Sequence, residues 1–383
     1  MRIGPLHAAL ALALGAGCTL LYDAGDFEAG QRDAVAPAED ASTAADARPD
    51  PCEHALPPSR PDAADVPGGL SLTFALSHLA LVSGNGDRVG FDLDGVCTCD
   101  ERPGTARAGA STCAPRRPEE PLCDRPGGRD NGAAAVFAKL IPDRAEAGVD
   151  VGFDIGVREG VGGVLVELGE YSGAASDPSV FVAFYDSPGL DPPSDCDGGT
   201  RGDAGVNGEG KHRPAWGGCD AWRLGEGALL GARPRTFTRD AWVAGGVLVA
   251  RFTTLGIRIG ATEAILYDAI LSATLERPAP PGQPRLTGGV LAGRALGAEI
   301  LRVFGEQVVL GRPLCLDAVS STIFRAAACA TLDLGSSPDA AAPCDSMSFT
   351  VEVAGGLARK GTIAPSAPAK SLCADAGAPP TCP

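Results

Sequence analysis

The chain has few of the residues that nucleic-acid binding requires. It carries 48 acidic residues against 32 cationic ones, which gives a formal net charge of -16, and only four of the cations are lysines. Neutralising a phosphate backbone needs clustered Lys and Arg side chains. We therefore expect no nucleic-acid partner.

Catalytic motifs are scarce as well. The sequence has four histidines, of which His54, His78 and His212 lie beyond the N-terminal segment. It contains no G-x-S-x-G elbow, no H-E-x-x-H and no P-loop. These absences argue against a serine hydrolase and against a histidine-based metalloenzyme.

Glycine and proline, in contrast, are abundant. The 52 Gly and 32 Pro residues favour turns over long helices. Leu70, Leu72, Phe74 and Leu76 alternate with polar neighbours, which is the pattern of a half-buried strand. Short apolar runs between Gly, Pro and Asp recur. Residues 265–275 again alternate with mostly polar neighbours, although their alanine content leaves a helical alternative open. We predict a mainly β protein, with an antiparallel β-sandwich or jelly-roll-like domain over 67–285.

The C-terminal part changes its periodicity after a proline-rich break. Apolar residues from Leu296 to Phe304 recur at helical spacing and are followed by Gly305. A second helix is predicted to begin near Ser320 and to end at Gly335, and a short strand follows at 349–353. Residues 286–383 are thus predicted to form a small disulfide-stapled helical part packed on the sandwich.

The N-terminus has the order of a secretory signal. A positive start and an apolar stretch from Leu6 to Leu14 run into Gly15, Ala16, Gly17 and Cys18, so residues 1–17 are predicted to be a signal peptide. Beyond the first two dozen residues no apolar run reaches the ~18 residues that a spanning helix needs.

Cys18 itself is the candidate lipid attachment site. The junction before it resembles the lipobox of bacterial lipoproteins, although Leu14 lies one place earlier than the usual pattern has it. Ordinary cleavage that leaves Cys18 as a plain thiol is the alternative. By the same resemblance, Thr19 predicts sorting to the outer membrane, facing the periplasm or the cell surface.

A tether is predicted to follow over residues 18–66. Between residues 23 and 66 the sequence is mostly Ala, Asp and Pro, with eleven acidic residues against three arginines. Such a segment buries too little apolar surface to order itself, and like charges extend it. We expect it to act as a disordered, lipid-anchored spacer.

The cysteines agree with export, because twelve remain after Cys18 and an even number suits an oxidising compartment. Nearest-neighbour pairing suggests Cys196 with Cys219, Cys373 with Cys382, and exchange among the four between residues 97 and 123. The candidates are Cys52, Cys97, Cys99, Cys113, Cys123, Cys196, Cys219, Cys315, Cys329, Cys344, Cys373 and Cys382.

Two acidic loops are candidates for binding calcium. Asp92 and Asp94 precede Gly95, while Asp130 and Asn131 precede Gly132, and calcium takes six to eight oxygen ligands from such groups. The alternative is that these residues only form turns. Zinc is disfavoured because the cysteines nearby lack C-x2-C spacing.

Two further candidate sites involve polysaccharide. Trp216 and Trp222 lie between cysteines and would stack on sugar rings if exposed, whereas a core position is the commoner fate of tryptophan. A hydrolase would instead need two carboxylates across a cleft. The candidates for that pair are Asp92, Asp94, Asp130, Glu167 and Glu170.

Four short motifs resemble those of a group of exported lipoproteins of the myxobacterial type. They are FDLDG at 91–95, GRDN at 128–131, AWV at 241–243 and CDSMS at 344–348. The similarity covers roughly residues 70 to 360, and no activity is known for the group. We therefore expect a cell-envelope lipoprotein that serves as a surface-displayed binding or structural module, with polysaccharide or envelope components as partners and no cofactor except calcium. A secreted polysaccharide hydrolase is the alternative.

Export predicts the mass of the mature protein. Purified from its host, the chain should begin at Cys18, carry acyl groups and gain mass on reduction, because its other cysteines are paired. Intact-mass measurement before and after reduction checks this. A reduced, unacylated chain that begins at Met1 would contradict it.

Overall fold

The structure is a computed structural model, and its description covers most of the chain beyond residue 53. The described residues are 54–65, 68–81, 89–98, 112–116, 122–140, 153–191, 212–259, 262–277, 283–309, 312–337, 339–365, 371–373 and 381–382. The predicted signal peptide, Cys18 and most of the predicted tether lie outside them.

Strands make up 46% of the structure and helices 16%. The strands are β1 (Leu70–Ala80), β2 (Gly163–Tyr171), β3 (Phe181–Ser187), β4 (Ala221–Gly225), β5 (Leu229–Leu230), β6 (Arg233–Pro234), β7 (Thr236–Thr238), β8 (Ala241–Ala244), β9 (Val247–Ile259), β10 (Thr262–Glu276), β11 (Arg285–Leu296), β12 (Val308–Val309), β13 (Arg312–Pro313) and β14 (Ser346–Ala364). The helices are α1 (Gly132–Leu140), α2 (Phe153–Arg158), α3 (Gly297–Gly305) and α4 (Ala318–Cys329).

Ten of these strands form one sheet. Their order is β7-β3-β2-β1-β14-β11-β10-β9-β8, and β4 pairs with β14. Every pair is antiparallel except β4 with β14. The segment before β3 reaches the last strand, because the amide of Val180 donates to the carbonyl of Ala241 at 3.1 Å. The sheet is therefore nearly closed, and the prediction of a mainly antiparallel β protein is confirmed.

The inner face of this sheet encloses the main core. Val164, Val166 and Leu168 point inwards from β2, at the spacing of two that a strand imposes. Phe184 on β3 meets Phe252 on β9 edge to face, with ring centroids 5.4 Å apart. A second, smaller core lies on the outer side of β1, β2 and β3, where α2 and β4 cover it.

The C-terminal part is less separate than predicted. β11 and β14 lie between β1 and β10 in the one sheet, so the boundary predicted at residue 285 does not divide two units. The strand predicted at 349–353 lies in the first half of β14, which has 19 residues. The segment 265–275 belongs to β10, which settles its ambiguity in favour of a strand.

The two predicted helices are present, with one corrected end. α3 buries Ile300, Leu301 and Val303 and ends at Gly305, as its pattern predicts. α4 begins after Asp317, whose carboxylate accepts from the amide of Ser320 at 2.8 Å, and it ends at Cys329 rather than Gly335. In the described residues no helix has the length and apolarity needed to cross a membrane.

The disulfides differ from the nearest-neighbour pairing. They join Cys113 to Cys344, Cys315 to Cys373 and Cys329 to Cys382. Cys97 and Cys123 are disulfide-bonded as well, whereas Cys219 is free. The predicted pairs of Cys373 with Cys382 and of Cys196 with Cys219 are therefore wrong, because strand pairing brings distant segments together more closely than chain neighbours. Cys18, Cys52, Cys99 and Cys196 lie outside the described residues.

The last part of the predicted tether is not a free spacer. Residues 54–60, which we call the strap, lie against the domain. The amide of Ala55 donates to the carbonyl of Gly127 at 2.7 Å, and the carbonyl of Ala55 accepts from the amide of Asp92 at 3.0 Å. Composition did not reveal this, because backbone bonds need no particular side chain.

The longest disulfide loop should contribute most to stability. Cys113 and Cys344 are 231 residues apart, whereas Cys329 and Cys382 are 53 apart, and a longer loop removes more entropy from the unfolded chain. Replacing both Cys113 and Cys344 with Ser should lower the free energy of unfolding by about 2–5 kcal/mol.

Urea unfolding of the purified variants measures this. Cys219→Ser is the matched control, because Cys219 is free, and it should change the free energy of unfolding by less than about 0.5 kcal/mol. Equal stabilities of the double variant and the control would contradict the assigned pairing.

Candidate functional site

The two predicted acidic loops do meet. Asp92 and Asp94 lie in the loop after β1, and Asp130 lies two residues before α1. One carboxylate oxygen from each lies within 4.8 Å of the others. Asp92 and Asp130 are buried, while Asp94 is half-buried. We call these three residues the carboxylate group.

Local turns hold each of these side chains. Asp92 accepts from the amide of Gly95 at 2.6 Å, and Asp130 accepts from the amide of Leu93 at 2.7 Å. Gly128 has a φ of +65°, and a Cβ there would lie 2.7 Å from Cys97 Sγ. The glycine of the GRDN motif is thus required by close approach. The aspartates therefore form turns, as the alternative interpretation predicts, and their carboxylates also lie close to one another.

Asn131 has a different role from the one predicted. Its side-chain oxygen accepts from the amide of Ala134 at 3.2 Å, so it caps the start of α1. A cation could bind that oxygen only if the oxygen also kept its hydrogen bond from the amide of Ala134.

Three residues at this site were not predicted. Asp124 accepts from the amide of Thr98 at 2.5 Å. Asp333 accepts from the amide of Ser348 at 2.7 Å and also from its hydroxyl. His54 of the strap contacts the carboxylate of Asp92 through Nδ1. Nothing in the spacing marks Asp333, since about 200 residues separate it from the loops.

Burial and mutual repulsion raise the pKa values of four acids at this site, Asp94, Asp124, Asp130 and Asp333. Burial, followed by the charges of Asp333 and Asp94, raises the pKa of Asp130 to about 10. Burial likewise raises the pKa of Asp124 to about 7 and that of Asp333 to about 6. The pKa of Asp94 is raised too, chiefly by burial. The site therefore favours either bound protons or a neutralising cation.

A hard cation would suit the carboxylate group better than zinc. Calcium binds carboxylate and carbonyl oxygens, and these three aspartates would supply part of its shell. His54, Asp92 and Cys97 also lie close together. Cys97 is disulfide-bonded, however, and so offers no thiolate to zinc.

A cleft of about 620 Å³ opens beside the carboxylate group. Loops that carry Asp92, Asp94 and Thr112 form one wall, and segment 334–337 extends it. The rest of the lining comes from β7, β9, β10 and β11 and from the turn between β7 and β8. The residues that these elements contribute are Thr238, Asp240, Arg251, Phe252, Thr253, Asp268, Ile270 and Arg294.

Two arginines in the cleft differ in how they are held. Arg294 donates to Asp268 at 3.0 Å, so their charges neutralise each other. Arg251 is exposed, and its guanidinium lies 5.3 Å from the ring centroid of Trp242. Among the described residues no carboxylate forms an ion pair with Arg251, which lines the cleft.

The two tryptophans predicted to bind sugar lie elsewhere. Trp222 is fully buried in the second core, as the core alternative predicts, so it does not stack on a ligand. Trp216 is half-buried, with its ring 6.2 Å from that of Trp222. Neither lines the cleft.

Glu167 and Glu170 do not join the carboxylate group either. Glu167 accepts from Lys360 at 2.6 Å and from the hydroxyl of Tyr185. These donors lower its pKa against the opposing effect of burial. Glu170 forms a two-pronged ion pair with Arg239, at 2.6 and 2.7 Å. Of the five candidate carboxylates for a hydrolase, only Asp92 and Asp94 line the cleft.

Fold and site together define a mainly antiparallel β protein, held by disulfides, with buried acids beside a polar cleft. No protein family model, curated protein or solved structure matches the chain. The resemblance to myxobacterial-type lipoproteins stays a prediction.

The raised pKa values predict how stability depends on pH. A raised carboxyl pKa means that the folded state keeps protons that the unfolded state releases, so folding is penalised increasingly as pH rises from about 4 to the folded value. In chelator, the free energy of unfolding should fall between pH 4.5 and pH 7.5 by at least about 1.4 kcal/mol, the equivalent of one pKa unit.

Replacing Asp124 tests the cause of this fall. Asp124→Asn should flatten the decline, whereas Asp65→Asn, at an exposed position, should leave it unchanged. Urea unfolding at the two pH values measures both. Stability that rises over this range, with the same slope in wild type and Asp124→Asn, would contradict the assignment.

The calcium prediction has its own measurement. If calcium binds the folded protein only, it should raise the melting midpoint at pH 7.5 relative to chelator. Asp130→Asn should abolish that rise, and in chelator it should stabilise the protein because it removes a buried acid. A wild-type midpoint that calcium leaves unchanged would remove the prediction.

Proposed function

We propose that the protein is an exported lipoprotein of the outer membrane whose β domain binds envelope or extracellular polysaccharide. In this proposal residues 1–17 are a signal peptide, Cys18 carries the lipid, and the acidic segment after it holds the domain away from the membrane. The cleft beside Asp92 and Asp94 is the observation that carries the binding role.

The oxidised cysteines support export. Eight of the nine cysteines in the described residues are disulfide-bonded. Disulfides persist in oxidising compartments and are rare in the cytosol. Cys113 and Cys344 are also buried, at 2% and 1% exposed, so their disulfide is part of the core.

The chemistry of the cleft supports an uncharged, hydroxyl-rich ligand. Carboxylates accept from hydroxyl groups, guanidinium groups donate to them, and Ser and Thr do both. Two of the cleft's acids are neutralised, since Asp268 pairs with Arg294 and Asp240 pairs with Arg60. The remaining charged residues of the lining are Asp92, which contacts His54, and Asp94 and Arg251, which carry opposite formal charges. The chain's charge of -16 further disfavours polyanions.

A hydrolase is the second candidate, and Asp94 is the observation that favours it. Asp94 lines the cleft, its pKa is raised, and an oxygen of Asp92 lies within 4.8 Å of one of its own. Glycosidases use an acid with a raised pKa beside a second carboxylate. Asp92, however, is 4% exposed and is held by His54 and Gly95, so it is poorly placed to attack a substrate. Binding therefore ranks ahead of hydrolysis.

Arg251 should dominate binding in the cleft. Calorimetry with a panel of neutral oligosaccharides should find one that binds wild-type protein. Arg251→Ala should weaken that binding by about 10–100-fold, the equivalent of losing charge-assisted hydrogen bonds worth about 1.5–3 kcal/mol. Arg285→Ala is the control, because Arg285 pairs with Glu276 outside the cleft, and it should change affinity less than about twofold.

Two results would count against this proposal. If no neutral oligosaccharide binds, or if Arg251→Ala binds as wild type does, the cleft is not the binding site. Release of reducing sugar ends by wild type, lost in Asp94→Asn, would favour the hydrolase instead.

A further inference from the structure

The strap contacts the domain through backbone hydrogen bonds and through side chains. Besides the backbone bonds of Ala55, His54 contacts Asp92, and the indole of Trp242 donates to the carbonyl of Pro58 at 3.0 Å. Arg60 donates to Asp240 at 2.6 Å and to the carbonyl of Pro178 at 2.6 Å. Its guanidinium also lies 4.7 Å from the ring centroid of Trp242.

The residues that receive the strap also build the cleft. Asp92 and Asp240 both line it. Trp242 carries Arg60 and also the cleft residue Arg251 on its ring, at 4.7 and 5.3 Å. The carbonyl of Asp240 accepts from the amide of Arg251 at 2.9 Å. A direct path of contacts therefore joins Arg60 to Asp240 and Trp242, and these to Arg251.

The strap is held by contacts that are individually weak. Arg60 and Asp240 are substantially exposed, and exposed ion pairs contribute at most about 1 kcal/mol. The strap forms no strand in the described structure, and most of its side chains are exposed or half-buried. Segments of this kind open locally while the core stays folded.

We propose that the strap couples the tether to the cleft: while it is seated, it fixes Asp240, Trp242 and Arg251 in their ligand-binding arrangement, and its release loosens them. This regulation rests on the proposed function, in which the cleft binds glycan and the chain before the strap leads to the lipid. Coupling is reciprocal, so a ligand in the cleft also holds the strap down.

Hydrogen exchange of the ligand-free protein tests the coupling. Arg60→Ala should speed exchange at the amide of Ala55 at least tenfold, and it should also speed exchange at the amide of Arg251. Arg277→Ala is the matched control. Arg277 likewise donates to a backbone carbonyl, that of Gly173, and lies over an aromatic ring, that of Tyr171, but outside the cleft. It should leave both amides within about twofold of wild type.

The outcomes separate the inference from the proposed function. If Arg60→Ala speeds exchange at Ala55 but not at Arg251, the strap is passive and the inference is overturned. Unchanged exchange at Ala55 overturns it as well, because Arg60 then does not hold the strap. None of these readouts involves a ligand. A failure to bind oligosaccharide would therefore contradict the proposed function without contradicting the coupling between the strap and the cleft.

In the glycan experiment, Arg60→Ala should also weaken oligosaccharide binding at least fivefold, although Arg60 does not line the cleft. Affinity equal to that of wild type, together with faster exchange at Ala55, would show that the cleft does not depend on the strap.

Discussion

The pairing of β14 with both β1 and β11 is the constraint on which the rest of the structure depends. It pairs the strand that comes first along the chain with the one that comes last, from Thr73 opposite Ala358 to Ala80 opposite Glu352. Ser348 and Thr350 on β14 are fully buried and bond to the site: the hydroxyl of Ser348 accepts from the amide of Gly132, and that of Thr350 donates to the carbonyl of Asp130. The same strand thus closes the core and positions the acids.

Burying several carboxyl groups destabilises the folded state, and hydrogen bonds to each group offset part of that destabilisation. Each carboxylate of the site accepts at least one hydrogen bond from a turn or from Ser348, yet several still have raised pKa values because they repel one another in a poorly solvated place. Where the group meets the cleft, Asp94 remains half-buried. Asp94 is therefore the residue that belongs both to the group of acids with raised pKa values and to the lining of the cleft.

Local sequence patterns are enough to predict part of the fold and part of the candidate site. Alternation predicts β1, helical spacing and Gly305 predict α3, and the Asp-Gly and Asp-Asn-Gly loops predict which acids form the carboxylate group. What decides the remainder is long-range pairing, which no local signal contains. Cys344 is buried beside Cys113 because β14 crosses the middle of the sheet, and Asp333 reaches the site for the same reason. Trp222 is buried because β4 pairs with β14, whereas its sequence context resembles a surface loop.

Disulfide mapping of the protein purified from its native cells tests the central claim most directly, since it examines the strand pairing and the oxidation state of the cysteines at once. Digestion without reduction should yield linked peptides that join Cys113 to Cys344, Cys315 to Cys373 and Cys329 to Cys382. Peptides that link Cys373 to Cys382, or free thiols at these positions, would contradict the account.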